Sequence, residues 1–316
     1  MNITSPIPGT LSVAQLNIWN MFDTVDDPRT RDMVIPMGEY RARLDKLALT
    51  ITATLGSPDI LSLNEIENQN VLDAILNQPS IKALGYKGKI QVLNDGRGIR
   101  TAIMYRGSLE LLSTDAPNPK FPPDKDRGYG QIDTSLLYSR PPLVANFRYT
   151  GAGQSLEGVS NLTVIVNHFK SKLGGEKPEP RRQRQGEFLG EYIDKLTTKD
   201  PNHNVIVIGD LNATYDDGAY KKLAYRKDGS ERLRDTLRTL SDDDRYTYIY
   251  RGQKNLLDHI MVTGGLFDAL KSVRIDHINT ATNAKSHKLD PKVVAGISDH
   301  DPIVAVFQLS PSKTAQ

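Results

Sequence analysis

Asp210 and Asn212 stand two residues apart just after Val205-Ile206-Val207-Ile208, a β-branched run that reads as a strand buried on both faces, and Gly209 lets the backbone turn where it ends. A carboxylate and an amide past the carboxyl end of a buried strand sit where open α/β sheets place their chemistry. The arrangement recurs: residues 13–16 run into Asn17, residues 60–64 into Glu65, and residues 162–166 into Asn167 and His168. Near the end the order is inverted, because Ser298-Asp299-His300-Asp301-Pro302 precedes the apolar run 303–307, which would enter the sheet from the same side. One such motif alone would be an Asx turn closing a strand. Five strand ends delivering Asn, Glu, His, Asp with Asn, and Asp with His describe one convergent site, built from the residue types of acid–base and metal chemistry.

The elements between must position these groups. Tyr40, Leu44, Leu47, Ile51 and Leu55 follow helical spacing over residues 39–55, and Gly56-Ser57-Pro58 stops that helix. A second helical segment begins over residues 71–76. Residues 86–93 and 99–105 read as strands of a hairpin around 94–98, with Arg97 at its tip and Arg100 opening the return strand; an arginine on a loop beside a carboxylate site can clamp phosphate. Residues 117–130 read as a proline-rich insertion, and Arg140-Pro141-Pro142 opens the strand 143–147, a suitable place for proline.

Residues 169–184 are the most basic segment, with Lys170, Lys172, Lys177, Arg181, Arg182 and Arg184 against Glu176 and Glu179. Glycines and prolines keep its first part irregular, and an amphipathic helix follows over 185–196. Such a run is ordinarily a solvated face, but its place beside His168 points to contact with a polyanion. Residues 216–245 are polar and should hold short helices. The alternating strand 246–250 is expected to pair with 257–262, where Asp258 lies inside an apolar run and needs a partner. His203, His259, His277 and His287 have no partner visible in sequence and read as ordinary surface or core histidines.

A chain of 316 residues suits one large core with insertions: a lead-in at 1–10, one domain at 11–309 and a disordered tail at 310–316. No apolar stretch approaches the ~20 residues needed to span a bilayer, so a soluble protein without a membrane partner is expected. MNITSPIPGT has neither the basic nor the apolar region of a secretory signal; the protein stays inside, or was exported by a signal removed before this numbering. The absence of cysteine excludes disulfides, thiolate metal sites and a cysteine nucleophile. A net charge of +2 announces no nucleic-acid partner by itself, so such a reading must rest on local clusters.

Taken in order, Asn17, Glu65, Asn167-His168, Gly209-Asp210-Leu211-Asn212, Leu257-Asp258-His259-Ile260 and Ser298-Asp299-His300 resemble the signature set of the endonuclease/exonuclease/phosphatase superfamily, the DNase I-like fold, over roughly residues 11–309. The stretches 17–23, 64–68 and 167–172 look most like its bacterial secreted-nuclease branch. The resemblance implies a four-layer α/β sandwich, with two packed mixed β-sheets flanked by helices and the site at one end.

It also implies hydrolysis of a phosphodiester by in-line attack of water, with Mg²⁺, Mn²⁺ or Ca²⁺ neutralising phosphate charge. Glu65 is then the first metal ligand, with Asp299 and Asn17 contributing. Asp210 orients or deprotonates the water, and Asn212 holds a phosphoryl oxygen or a second metal. His300 is the other base or a transition-state donor, with its tautomer set by Asp258, and His168 donates to a phosphate oxygen. Arg100, Arg140, Lys170 and Lys172 are the expected phosphate contacts. Fold does not name the substrate. The basic segment favours a polynucleotide, foremost DNA cut endonucleolytically with low sequence specificity by a monomer. The alternatives are a lipid, inositol-phosphate or nucleotide phosphodiesterase or phosphatase, and, more remotely, a non-catalytic binding scaffold.

Overall fold

The computed structural model describes residues 9–93, 95–121, 136–150, 161–281 and 284–309; most of the insertion expected over 117–130 and the tail at 310–316 lie outside them. The strands are β1 (Thr10–Met21), β2 (Ile60–Ile66), β3 (Lys87–Ile90), β4 (Arg100–Tyr105), β5 (Leu109–Asp115), β6 (Leu143–Tyr149), β7 (Leu162–His168), β8 (Asn204–Asp210), β9 (Arg234–Asp235), β10 (Tyr248–Tyr250), β11 (Gln253–Asn255), β12 (Asp258–Val262), β13 (Leu270–Ile275) and β14 (Ile303–Gln308).

They form two six-stranded sheets, ordered β13-β14-β1-β2-β4-β3 and β5-β6-β7-β8-β12-β9, and a separate β10-β11 hairpin. Each large sheet has one parallel pair near its middle. In β1–β2 Asn17 lies opposite Asn64, and in β7–β8 His168 lies opposite Asp210. Parallel neighbours require a crossover. The first contains the helix Met37–Leu49, continued by the π-helical turn Thr50–Thr54, and the second contains the helix Glu179–Lys199.

Period-two alternation assigns the layers. Val13, Ile60 and Ile103 of one sheet meet Val164, Ile206, Ile208 and Ile260 of the other in a central core. Ala14, Leu16, Leu61 and Leu63 face outward onto Leu44, Leu47 and Ile51, and Val205 and Val207 face outward onto Leu189, Ile193 and Tyr220. The result is helices, sheet, sheet, helices, the DNase I-like arrangement expected. Burial on both faces explains why these strands read as continuous apolar runs.

The inner face changes character at one end. Continuing the inward positions, β1 offers Gln15 and Asn17, β2 Ser62 and Asn64, β7 His168, β8 Asp210 and β12 Asp258, all buried. Buried polar groups need hydrogen bonds, and most of this patch bonds within itself, while His168 Nδ1 is buried without a partner among the described residues; the patch faces the strand ends.

Two local expectations are corrected. The strand β10 pairs with β11, not with β12, through the two-residue turn Arg251-Gly252. Both turn residues have positive φ, +49° and +79°, as a type I′ hairpin requires. The strand β12 is buried along its whole length and sits beside β8, with Asp258 opposite Asp210. The helix expected from residue 185 begins at Glu179, since Pro180 in its first turn needs no amide donor.

Candidate active site

The carboxylates are aimed by backbone distortion. Between Asn64 and Ile66 the register of β2 shifts, and Glu65 there adopts φ +67°. Opposite it, β1 is irregular between Asn17 and Met21, with Trp19 and Asn20 also left-handed. Asn17 Oδ1 accepts from Trp19 N at 2.9 Å, and Asn20 N donates to Glu65 Oε2 at 2.9 Å, so the two bulges hold one another. Left-handed non-glycine residues cost about 1–3 kcal/mol each, and their concentration here is the signature of a site rather than a plain sheet edge.

The turn after β8 is built similarly. Asp210 N donates to Asn64 Oδ1 at 2.9 Å, Asp210 Oδ1 accepts from Asn212 N at 2.8 Å, and Asn212, at φ +47°, sends its Nδ2 to Phe169 O at 3.3 Å. Gly209 is required at φ +135°, because a Cβ would lie 2.0 Å from Asn167 O.

The two site histidines carry different charge states. His168 Nε2 lies 3.6 Å from Asp210 Oδ2 and 3.8 Å from Glu65 Oε1, directed between them. Burial, reinforced by Arg140 and Arg97, holds its pKa well below 6.5, so it is a neutral imidazole. His300 Nδ1 donates to Asp258 Oδ2 at 2.6 Å, which leaves Nε2 for the pocket. Burial opposes its charge, but the Asp258 and Asp210 carboxylates outweigh burial and hold it as an imidazolium well above the usual histidine range. Asp258 is buried yet stays ionised below the ordinary carboxylate value because His300 and the hydrogen bonds from Thr247 and Gln15 overcome desolvation. Burial pushes the Asp210 carboxyl up to about 7 against the pull of His300, and it raises Glu65 as well.

Asp299 is half-exposed and its charge acts on both Glu65 and His300, so it belongs to the same cluster. The site thus brings together Glu65, Asp299, Asn17, Asp210, Asn212, His168, Asp258 and His300.

The expected cations divide. Arg140 is buried, with Nη1 on Asp95 Oδ2 at 2.6 Å and Nη2 on Phe169 O at 3.0 Å, and its charge acts on Glu65 and His168. Lys170 is exposed, and its ammonium feels Arg140, Arg181 and Arg97. Arg100 instead donates to the carbonyls of Glu67, Val92 and Gly98, and Lys172 pairs with Asp217 at 2.6 Å. Arg182 is buried against Glu179 and the Lys170 carbonyl, so the basic segment presents fewer free cations than its composition implies. The hairpin-tip Arg97 takes the position anticipated for Arg100: it is exposed, paired with Asp95 at 3.2 Å, and its charge acts on Glu65, His168 and Lys170.

Sequence reasoning missed the supports. Gln15 Nε2 donates to Asn64 Oδ1 at 2.7 Å and to Asp258 Oδ1 at 3.2 Å, while Gln15 Oε1 accepts from Ser62 Oγ at 2.6 Å. The signal was present as polar residues at every second position of apolar runs. His259, read as ordinary, lies buried with Nδ1 2.6 Å from Asp235 Oδ2 and Nε2 2.8 Å from Ala213 O, and so pins the residue after Asn212. Two acceptors on one ring require both nitrogens to carry protons. His277 likewise has a partner in Asp301 at 2.8 Å.

The donor set fits a divalent cation. Asp210, Asp258 and His300 offer ligand atoms within 4.8 Å of one another, a buried group able to hold a metal ion. Asp258 and His300 already satisfy each other. The groups short of positive charge are therefore the Glu65 and Asp210 carboxylates, with Asp299 beside them, all oxygen donors of the kind hard cations take.

The sequence profile described as the Endonuclease/Exonuclease/phosphatase family matches residues 12–127 and 151–289. No curated protein matches significantly. Among solved structures, the endonuclease/exonuclease/phosphatase from Bacteroides vulgatus is 18% identical with a TM-score of 0.60, covering 95% of this chain and 99% of that one. The human Nocturnin catalytic domain with bound sulfate anion is 18% identical with a TM-score of 0.60, covering 96% of each chain. The D. rerio TDP2 complexed with single strand DNA product is 18% identical with a TM-score of 0.56, covering 94% of this chain and 98% of that one. With the family profile extending over most of the strands that carry the site, the chain belongs to the endonuclease/exonuclease/phosphatase family.

Proposed function

We propose that this protein is a divalent-cation-dependent phosphodiester hydrolase acting on a polynucleotide, foremost a monomeric DNA endonuclease of low sequence specificity. Members of the family are typically metal-dependent hydrolases of phosphodiester bonds. The observation that carries the reading is geometric: His300 Nδ1 sits on Asp258 Oδ2 at 2.6 Å, and His168 Nε2 lies 3.6 Å from Asp210 Oδ2 and 3.8 Å from Glu65 Oε1, so both rings converge on the carboxylates.

In-line cleavage needs an acceptor for the water proton and donors for the charge that grows on the phosphoryl oxygens. Asp210 is the acceptor, since burial has raised its proton affinity to about neutral pH. His300 donates to the developing charge, and His168 presents Nε2–H to a non-bridging oxygen. Asn212 is fixed by the Asp210 turn and offers an amide to another. A bound cation supplies charge neutralisation, and Glu65, Asp299 and Asn17 are the oxygen donors that would hold it; Mg²⁺ suits them, with Mn²⁺ or Ca²⁺ as substitutes. Arg97 and Lys170 are the exposed cations a phosphate backbone would engage, and the buried Arg140, held by Asp95 and Phe169 O, adds charge behind them. The similarity to a TDP2 solved with a DNA product, and to bacterial secreted nucleases in motif texture, supports the same substrate class. Among the described residues no helix is long and apolar enough to cross a membrane.

Supercoiled plasmid incubated with Mg²⁺, with chelator, and with His300→Ala protein tests this. Nicking and linearisation that both controls abolish, and that fall steeply with salt, are expected. An untouched plasmid together with salt-insensitive turnover of a lipid or nucleotide phosphoester would move the assignment to a small-molecule phosphodiesterase.

A further inference from the structure

The helix Met37–Leu49 buries an arginine against the distorted end of β1. Arg43 is 3% exposed, and its guanidinium donates to three consecutive carbonyls: Nη2 to Ile18 O and Trp19 O, both at 2.8 Å, and Nη1 to Asn20 O at 3.0 Å. The other buried arginines, Arg106, Arg140 and Arg182, lie on the carboxylates of Asp59, Asp95 and Glu179. Among the described residues the hydrogen-bond partners of Arg43 are carbonyls alone. Burial lowers its pKa to about 10 against the pull of Glu39 and Glu65, so it remains a cation at neutral pH. A buried charge is costly, and this one is spent on backbone.

The backbone it holds is the part of β1 that aims the site. Between Asn17 and Met21 the strand loses its register with β2, and Trp19 and Asn20 are left-handed at φ +50° and +49°. Carbonyls turned out of the ladder need another donor. A guanidinium offers five N–H groups in one plane, enough for all three; the ammonium of a lysine, a compact point charge, does not match that fork. The opposite side of the same bulge carries the donors of the site. Trp19 N donates to Asn17 Oδ1 and Asn20 N to Glu65 Oε2, each at 2.9 Å. Were Trp19 and Asn20 to relax into extended backbone, the period-two alternation of the strand would swing the Asn20 amide away from Glu65.

We propose that Arg43 is a positioning residue for the candidate metal donors: by holding the three carbonyls of the β1 bulge, it fixes the Asn17 side-chain oxygen and the Glu65 carboxylate in place for a cation. It acts through the bulge and touches neither substrate nor cation. The inference deepens the cation-dependent reading above and rests on it for the identity of the donors.

The test compares the full chain with Arg43→Met and Arg43→Lys, and with Arg232→Met as control. Arg232 also donates to three carbonyls, those of Lys222, Leu223 and Tyr225, but does so beside the helices Glu179–Lys199 and Gly218–Ala224. Circular dichroism and denaturant unfolding establish that each variant folds and how far it is destabilised. Two readouts use metal-free protein: hydrogen exchange of the Asn20 amide, and the emission of Trp19, the one tryptophan of the chain. The third is Mn²⁺ binding by calorimetry. In Arg43→Met the Asn20 amide should exchange at least about tenfold faster, Trp19 emission should shift, and the Mn²⁺ Kd should rise at least about tenfold, with at least about a threefold rise in Arg43→Lys. Arg232→Met should leave exchange and Kd within about twofold of wild type. Unchanged Asn20 exchange and Kd in a folded Arg43 variant, or an equal loss in Arg232→Met, would overturn the proposal. Should Arg43→Met not fold, Arg43→Lys decides by the same readouts. Wild type that takes up no Mn²⁺, with the Asn20 amide still freed in the Arg43 variants, would remove the cation-dependent reading and keep Arg43 as the residue that holds the bulge.

Discussion

Replacing Asp258 with Asn removes one charge and little volume at a fully buried position 2.6 Å from His300 Nδ1. Two unit charges ~4 Å apart at an effective dielectric of ~20 attract by ~4 kcal/mol. The burial that disfavours the imidazolium remains, so the variant His300 should be neutral at pH 7. The Asn oxygen can still accept from Nδ1, which keeps the tautomer and isolates the loss of charge. With the donor for developing phosphoryl charge gone, kcat should fall by roughly 10²–10³ while KM stays within about threefold. Steady-state hydrolysis measures the first part. Titration of the histidine ring nitrogens by NMR, with chelator present, measures the second. A variant His300 that stays protonated above about pH 8, or a kcat within about threefold of wild type, would refute the assignment of His300 as a cationic donor.

Arg97→Ala should weaken polynucleotide binding and lower the salt slope by about one, whereas Arg100→Ala, which removes donors to backbone carbonyls, should lower stability by about 1–3 kcal/mol and leave the slope unchanged; binding titrations over a salt series compare them. Gly209→Ala should cost more than about 3 kcal/mol in denaturant unfolding, since a side chain there collides with Asn167 O at a φ that L-residues avoid. Burial opposes the charge on His259, but Asp235 outweighs it and raises the pKa above 6.5. The stabilisation from this pair is therefore fully present below the unfolded-state value and is lost as pH rises through the folded one. The stability difference between wild type and His259→Gln should shrink as pH rises above about 6.5, and a constant difference would contradict the pairing.

The candidate site residues could be singled out in the sequence because most of them end, begin or closely follow a buried strand. An apolar run that stops at a polar residue is visible without a structure, and the ordered set resembled one superfamily. Arg97 and Arg100 show the limit of that reading: three residues apart on one hairpin, they differ only in which way the turn and the register of β4 send them. Lys172 and Arg182 show it too, since their partners Asp217 and the Lys170 carbonyl are brought together by packing of the helix Glu179–Lys199.

By itself the sequence determined the central strands, the existence of the two crossover helices, and the chemical types placed at the strand ends, since these follow from local periodicity and from where glycine and proline interrupt it. Only the tertiary structure decided what charge each group carries. Asp258 holds His300 protonated across the 42 residues between them. Gln15 joins Asp258 to Asn64 from the opposite sheet, and burial, reinforced by neighbouring charges, lowers the pKa of His168 and raises that of Asp210. Those properties depend on dielectric and on neighbours distant in the chain, and the sequence specifies such neighbours only through the fold.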